Sequence, residues 1–234
     1  MSDITASFAL ALHLIAGGNP ELARIVSLSL EVSLAAALLA CAIGLPLGAW
    51  IAVHRFPGRR ATIVSLNALL GLPSVVVGLV VYLMLSRAGP LGSLGILFTP
   101  TAIVVAQTLL VLPIVAAMAR QFVEDAWGDY REQLLSLGVT PTRAVPTLLW
   151  DLRHSLLTVA LLGFGRAASE VGAVMIVGGN IDGVTRVMTT AIALETTKGD
   201  LPLALALGIV LVTIVLALNA AAFGVREWSA RRHG

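Results

Sequence analysis

The chain has 234 residues, 58% of them hydrophobic and only 12% charged, with a formal net charge of +2. An ordinary soluble domain carries about twice that share of charge, and so few polar residues could not cover the outside of a water-soluble fold. The composition therefore excludes an ordinary soluble domain and reads as a protein of the bilayer, with lipid rather than nucleic acid around it.

In chain order, the first segment lacks the basic start and A-x-A-like cleavage site of a secretory signal, carrying Asp3 instead. The mature chain is therefore expected to begin at or near Met1. Residues 1–20 read as an external or interfacial segment, with a short helix over 7–16 stopped by Gly17-Gly18-Asn19-Pro20. Five apolar stretches follow, at 25–53, 61–86, 101–119, 155–177 and 201–225. Each is close to or beyond the roughly 20 residues that a helix needs to cross the hydrocarbon. Helices satisfy their own backbone groups in lipid, and the ten-residue alternation of barrel strands is missing. The fold class is thus all-α, a polytopic membrane protein with five transmembrane helices.

Several residues inside these spans ask for an explanation. Gly44 and Gly48 stand at the spacing that lets two helices approach closely. Cys41 is the only cysteine and reads as a small packing residue. In the second span, Gly71 and Pro73 weaken the helix. A break there would start a half-helix near Pro73, with the amides of Ser74, Val75 and Val76 free at its positive end to meet an anion; a kink that only improves packing is the alternative. Pro46 and Pro113 are expected to bend spans one and three. Asn67, Gln107 and Asn219 read as interhelical hydrogen bonders. In the fourth span Arg166 and Glu170 lie four apart on one face, and each alone costs about 3 kcal/mol or more at mid-bilayer. They form either an internal brace or, with Arg166 offsetting a dianion's charge, part of a pathway.

The polar stretch 120–154 separates spans three and four. Trp127, Tyr130, Leu134 and Leu137 recur at helical spacing, with Asp129, Glu132, Gln133 and Ser136 turned away. Gly138 then supplies a stop, and Thr140-Pro141 opens a second short helix. The polar face is mixed to acidic, which suits a protein partner better than headgroups. The segment 178–200 is too polar to span and either folds over the outer mouth or forms an ordered loop.

Orientation follows from the fifteen basic residues. Arg55, Arg59, Arg60, Arg120, Arg131, Arg143, Arg153, Arg226, Arg231 and Arg232 share one side of the predicted spans, against Arg24, Arg87, Arg186 and Lys198 on the other. Positive charge marks the cytoplasm, so the N-terminus is expected outside and the C-terminus inside. No internal repeat is visible, and an odd span number argues against two fused inverted halves. A symmetric pair of chains would enclose a pathway most economically. His13, His54, His154 and His233 are scattered, so no metal site is expected. No P-loop or catalytic constellation occurs either, so the chain is not expected to be an enzyme and no catalytic residue is named.

The run Glu132-Gln133-Leu134-Leu135-Ser136-Leu137-Gly138 is similar to the EAA motif of ABC-importer permeases, with a glutamate six residues before a glycine. The two alanines are replaced by Gln133 and Leu134, and the motif's Leu-Pro by Trp150-Asp151; Pro146 is expected to disturb the second short helix. Over 24–222 the chain resembles the molybdate, tungstate and sulfate group, through Leu72-Pro73-Ser74-Val75-Val76-Val77-Gly78 and Gly165-Arg166-Ala167-Ala168-Ser169-Glu170-Val171-Gly172-Ala173. The blocks 174–181 and 189–196 look most like the tungstate-type branch. This resemblance implies the ABC type I transmembrane fold over 21–226, a coupling loop at 120–154 and a cytoplasmic tail at 227–234. It implies a prokaryotic inner-membrane permease for an oxyanion, tungstate before molybdate or sulfate, working as a homodimer with two ATP-binding cassette subunits and an external oxyanion-binding protein. ATP and Mg would be bound by the ATPase. Tyr130, Glu132, Leu134, Leu137 and Gly138 would couple to it, and Arg166, Glu170, Pro73, Ser74 and Val75 would line the pathway. A passive anion channel and a non-transporting scaffold are the rival classes; the first needs no docking helix, and the second gains nothing from charges within a span.

Overall fold

The computed structural model describes residues 2–233, with side chains for 6–221, 223 and 224. Expectations that rest on Met1, on the side chains of Asp3, Arg226, Arg231, Arg232 and His233, and on those of the tail 227–234 lie outside the described residues. The described chain is all helical: α1 (Ser2–Ala16), α2 (Pro20–Val53), α3 (Arg59–Leu70), α4 (Ser74–Leu85), α5 (Pro100–Ser136), α6 (Pro141–Asp151), α7 (Arg153–Ala168), α8 (Gly172–Gly178), α9 (Met188–Lys198) and α10 (Leu201–His233), with one 3-10 turn at Gly92–Leu94.

Helices α2, α5 and α10 are each long and apolar enough to cross a membrane. The other two expected spans are bent pairs. The chain bends by 102° between α3 and α4, and by 59° between α7 and α8. Counting each pair as one span gives five. The stretch 155–177, expected as one helix, is therefore broken.

Two termini show why the elements begin and end where they do. Asn19 accepts from the amides of Glu21 and Leu22 at 2.9 and 3.1 Å, ahead of Pro20 and an acidic first turn, so α2 starts five residues earlier than expected. At its other end Arg59 folds back on α2. Its Nε donates to Ile51 O at 2.9 Å and its Nη2 to Ala52 O at 3.4 Å, satisfying carbonyls that the helix leaves free.

The centre of the bundle is α2 packed parallel to α5. Val32 shares a cluster with Ala102, Ile103 and Ala106, while Ala49, Ala52 and Val53 share another with Val123, Ala126 and Trp127. Between them Gly44 and Gly48 lie directly on α5. A Cβ on Gly44 would stand 2.9 Å from Val115 Cγ1, and one on Gly48 would meet the backbone of Ala116 and Arg120. No side chain fits there, which is the use the sequence spacing suggested. Around this pair, α7 packs on both helices, and α1 and α9 close on α10 through Ala11, Ala191 and Leu207.

The cytoplasmic-loop expectation needs one revision. Instead of a separate amphipathic helix after residue 119, α5 continues without interruption to Ser136. Thirty-seven residues make a rod about 55 Å long, far more than a bilayer core, so its last turns project beyond it. Gly138 then turns the chain at φ +77°, and α6 starts at Pro141 as expected. Pro146 lies inside α6, which continues through it to Asp151.

Candidate functional site

Two helix breaks meet inside the bundle. In the first, Leu72 and Pro73 separate α3 from α4: proline lacks an amide, and the residue before it is driven out of the helical region. The amides of Val76 and Val77 donate to Pro73 O at 3.0 and 3.3 Å. Only those of Ser74 and Val75 have no acceptor among the described residues, so the expected trio of free donors is a pair.

The second break carries no proline. Glu170 leaves the helix, and its carboxylate turns to both sides. Oε2 pairs with Arg166 Nη1 at 2.5 Å, while Oε1 accepts from Ala173 N at 3.1 Å and so caps α8. Carbonyls around the break find side-chain donors from other helices. Thr189 Oγ1 donates to Glu170 O at 2.8 Å, and Gln107 Nε2 to Ala167 O at 2.9 Å. A buried break survives because each of these groups is satisfied. Glu170 is buried at 3% exposure, whereas the Arg166 side chain keeps 35% in the isolated chain.

Glycines let the two breaks touch. A Cβ on Gly172 would lie 2.8 Å from Val75 Cγ2, 3.1 Å from Ser74 Oγ and 3.6 Å from Glu170 Oε1. One on Gly78 would lie 2.7 Å from Ala173 Cα. The fold thus gathers Pro73, Ser74, Val75, Arg166 and Glu170, which are distant in sequence, at the junction of four half-helices. Arg166 is thirteen residues into α7 from Arg153, or about 20 Å along the helix. That depth lies well inside a hydrocarbon core of roughly 30 Å.

The coupling candidates lie at the far end of α5. Tyr130, Glu132, Leu137 and Gly138 are exposed, Leu137 at 77%, and Glu132 makes no ion pair among the described residues. Leu134 differs, packing on the chain's own cluster around Trp127, Ala144 and Leu148. The apolar stripe thus divides between an inner face and an outer one. The two sites share α5, whose Gln107 braces the broken span and whose last turn leads into Gly138.

Of the polar residues expected to bond between helices, only Gln107 does so. Asn219 donates to Val215 O of its own helix at 2.8 Å, and Asn67 is exposed with no hydrogen bond among the described residues. The segment 178–200 is ordered, with α9 packed against the bundle. The supporting role of Thr189 was not legible, because nothing local marks a threonine that serves a carbonyl nineteen residues away. Among the described residues no cluster of His, Cys, Asp or Glu could hold a metal.

Comparison with known proteins identifies the family. A family model described as "Binding-protein-dependent transport system inner membrane component" matches residues 44–233. The "Tungstate uptake system permease protein TupB" of Peptoclostridium acidaminophilum is 39% identical over 227 residues, covering 97% of this chain and all of that one. A "Probable anion ABC transporter permease protein" of Haloferax volcanii is 39% identical over 218 residues, 91% of this chain and 94% of its own. The TupB of Campylobacter jejuni is 40% identical over 164 residues, 70% and 69% of the two chains. Matched over most of its length and built of apolar spans, the chain belongs to the binding-protein-dependent transport system inner membrane components, as a multi-pass permease subunit of the cell membrane.

Proposed function

We propose that this permease carries tungstate inward as half of a homodimer driven by two ATP-binding cassette subunits and fed by an external binding protein. Molybdate and sulfate, as tetrahedral dianions of the same class, are the competing cargoes. The carrying observation is Arg166: a partly exposed guanidinium deep in a span, held by a buried carboxylate where two broken helices meet. Facing lipid, it would cost about 3 kcal/mol or more. A water-filled route between two copies removes that cost and gives a dianion a countercharge. Glu170 holds Arg166 in place and tempers its pull, since a site that binds too tightly would not release. The amides of Ser74 and Val75 add two donors at a helix start.

In this reading, ATP and Mg are bound by the cassette subunits, whose surfaces receive Glu132, Leu137 and Gly138, with Tyr130 beside them and Leu134 bracing the turn from within. Helix α5 acts as the lever. From Gln107 to Ser136 it spans about 44 Å, so a push at the turn tilts the helix that braces the Arg166 break. The N-terminus lies outside, a placement that the arginine distribution supports. Co-purification with the cassette subunit tests the proposal. Glu132→Lys should release the ATPase or uncouple hydrolysis from uptake; retention with full coupling would contradict the docking role.

A further inference from the structure

The α2–α3 loop and the first turn of α3 carry Arg55, Arg59 and Arg60 within six residues, and two adjoining cavities flank them. One, of about 550 Å³, lies between Ala52, Arg55, Arg59, Glu124, Trp127 and Arg131. The other, of about 520 Å³, is bounded by Arg55, Phe56, Gly58, Arg59 and Arg60. Glu124, the one carboxylate of this lining, is already shared. It pairs with Arg59 at 2.8 Å and also with Arg120. Arg55, Arg60 and Arg131 have no acidic partner among the described residues. The lining thus holds more positive charge than the fold uses.

Depth identifies what could balance it. Positions 32–54 of α2 and its cap contain no Asp, Glu, Lys or Arg, a helical length of about 35 Å, so Arg55 falls where the hydrocarbon ends. Trp50, 42% exposed, stacks on His54 with centroids 4.8 Å apart and lies 5.2 Å from Phe56. Exposed aromatic rings beside arginines belong to the headgroup layer. Guanidinium groups suit phosphate oxygens through paired N–H donors, and basic pockets at this level take up acidic headgroups.

We propose that the paired cavities around Arg55, Arg59, Arg60 and Arg131 bind the phosphate of an anionic phospholipid in the inner leaflet. The site fixes the depth of the α2–α3 loop and is independent of which anion the permease carries. Native mass spectrometry of the purified full-length chain, titrated in mixed micelles with phosphatidylglycerol or phosphatidylcholine, tests this. Phosphatidylglycerol should be retained preferentially. Each unpaired arginine at the surface contributes a factor of about five, so the Arg55→Gln/Arg131→Gln variant should bind it roughly 25-fold more weakly. Arg87→Gln, an exposed arginine at the other end of the bundle, should leave retention unchanged. Equal retention of the two lipids, or equal loss in Arg87→Gln, would overturn the proposal. So would displacement by millimolar inorganic phosphate, which would make the free ion the ligand. Loss of lipid when the cassette subunit is added would give the cavity to that partner and overturn it too.

Discussion

Adding a single methyl group at Gly78 tests the junction of the two breaks. A Cβ there would lie 2.7 Å from Ala173 Cα and 3.3 Å from both Ala173 Cβ and Ala173 O. Ordinary carbon contacts are about 3.5–4.0 Å, so Gly78→Ala forces α4 and α8 apart by about 1 Å. The obstacle is backbone, which cannot swing aside as a side chain could. Overpacking of this kind costs typically 1–3 kcal/mol, or roughly 2–12 °C in melting temperature for a chain of this size. Gly208→Ala, in α10, is the internal control, because a Cβ there meets nothing within 4 Å. It should be neutral or stabilising by up to about 1 kcal/mol through helix propensity. Thermal unfolding of both variants in the same detergent gives the comparison. Equal melting temperatures would refute the close approach of the two half-helices, and with it the gathering of Ser74, Val75 and Glu170.

Three further outcomes follow from the same geometry. Arg166→Met should lower uptake about tenfold to a hundredfold, the range for losing a hydrogen bond to a charged group; unchanged uptake by an intact complex would leave Arg166 only a bracing role. Gly138→Ala places a side chain at φ +77°, which costs about 1–2 kcal/mol, and should reduce retention of the cassette subunit roughly 5–30-fold in a pull-down without changing the secondary structure by circular dichroism. Gln107→Leu sets two effects against each other. It loses the bond to Ala167 O, which still accepts from the amide of Glu170 at 3.1 Å, but removes an Oε1 that is buried without a partner among the described residues. A hydrogen bond contributes about 1 kcal/mol and an orphaned buried acceptor costs about 1–3, so the variant should melt no lower than the parent, while a fall of several degrees would contradict the orphan's cost.

The sequence carried the fold class and the spans because lipid imposes one requirement, length of apolar helix, that can be counted along the chain. What it could not carry is where helices break or continue for tertiary reasons. The end of α5 was expected near residue 119 because charges begin at Arg120. Charge ends an apolar run rather than a helix, and no proline follows until Pro141. The break after Ala168 has no local marker, since it depends on Glu170, Thr189 and Gln107 meeting from three elements. Helix α9, eleven residues bounded by Gly199, is stabilised by burial of Met188 and Ala191 on other helices rather than by its own periodicity. Arg166 and Glu170 stood out because ions in a span demand a reason, and Pro73 because it cannot continue a helix. Their contact with each other's break emerged only in three dimensions.

The most direct measurement is uptake into proteoliposomes containing this permease, its cassette subunit and the external binding protein, with labelled tungstate outside and ATP within. The account predicts accumulation against a gradient only when ATP is present, accompanied by hydrolysis, and weaker with molybdate or sulfate in place of tungstate. Equal tungstate flux without ATP, or hydrolysis that never moves the anion, would contradict it.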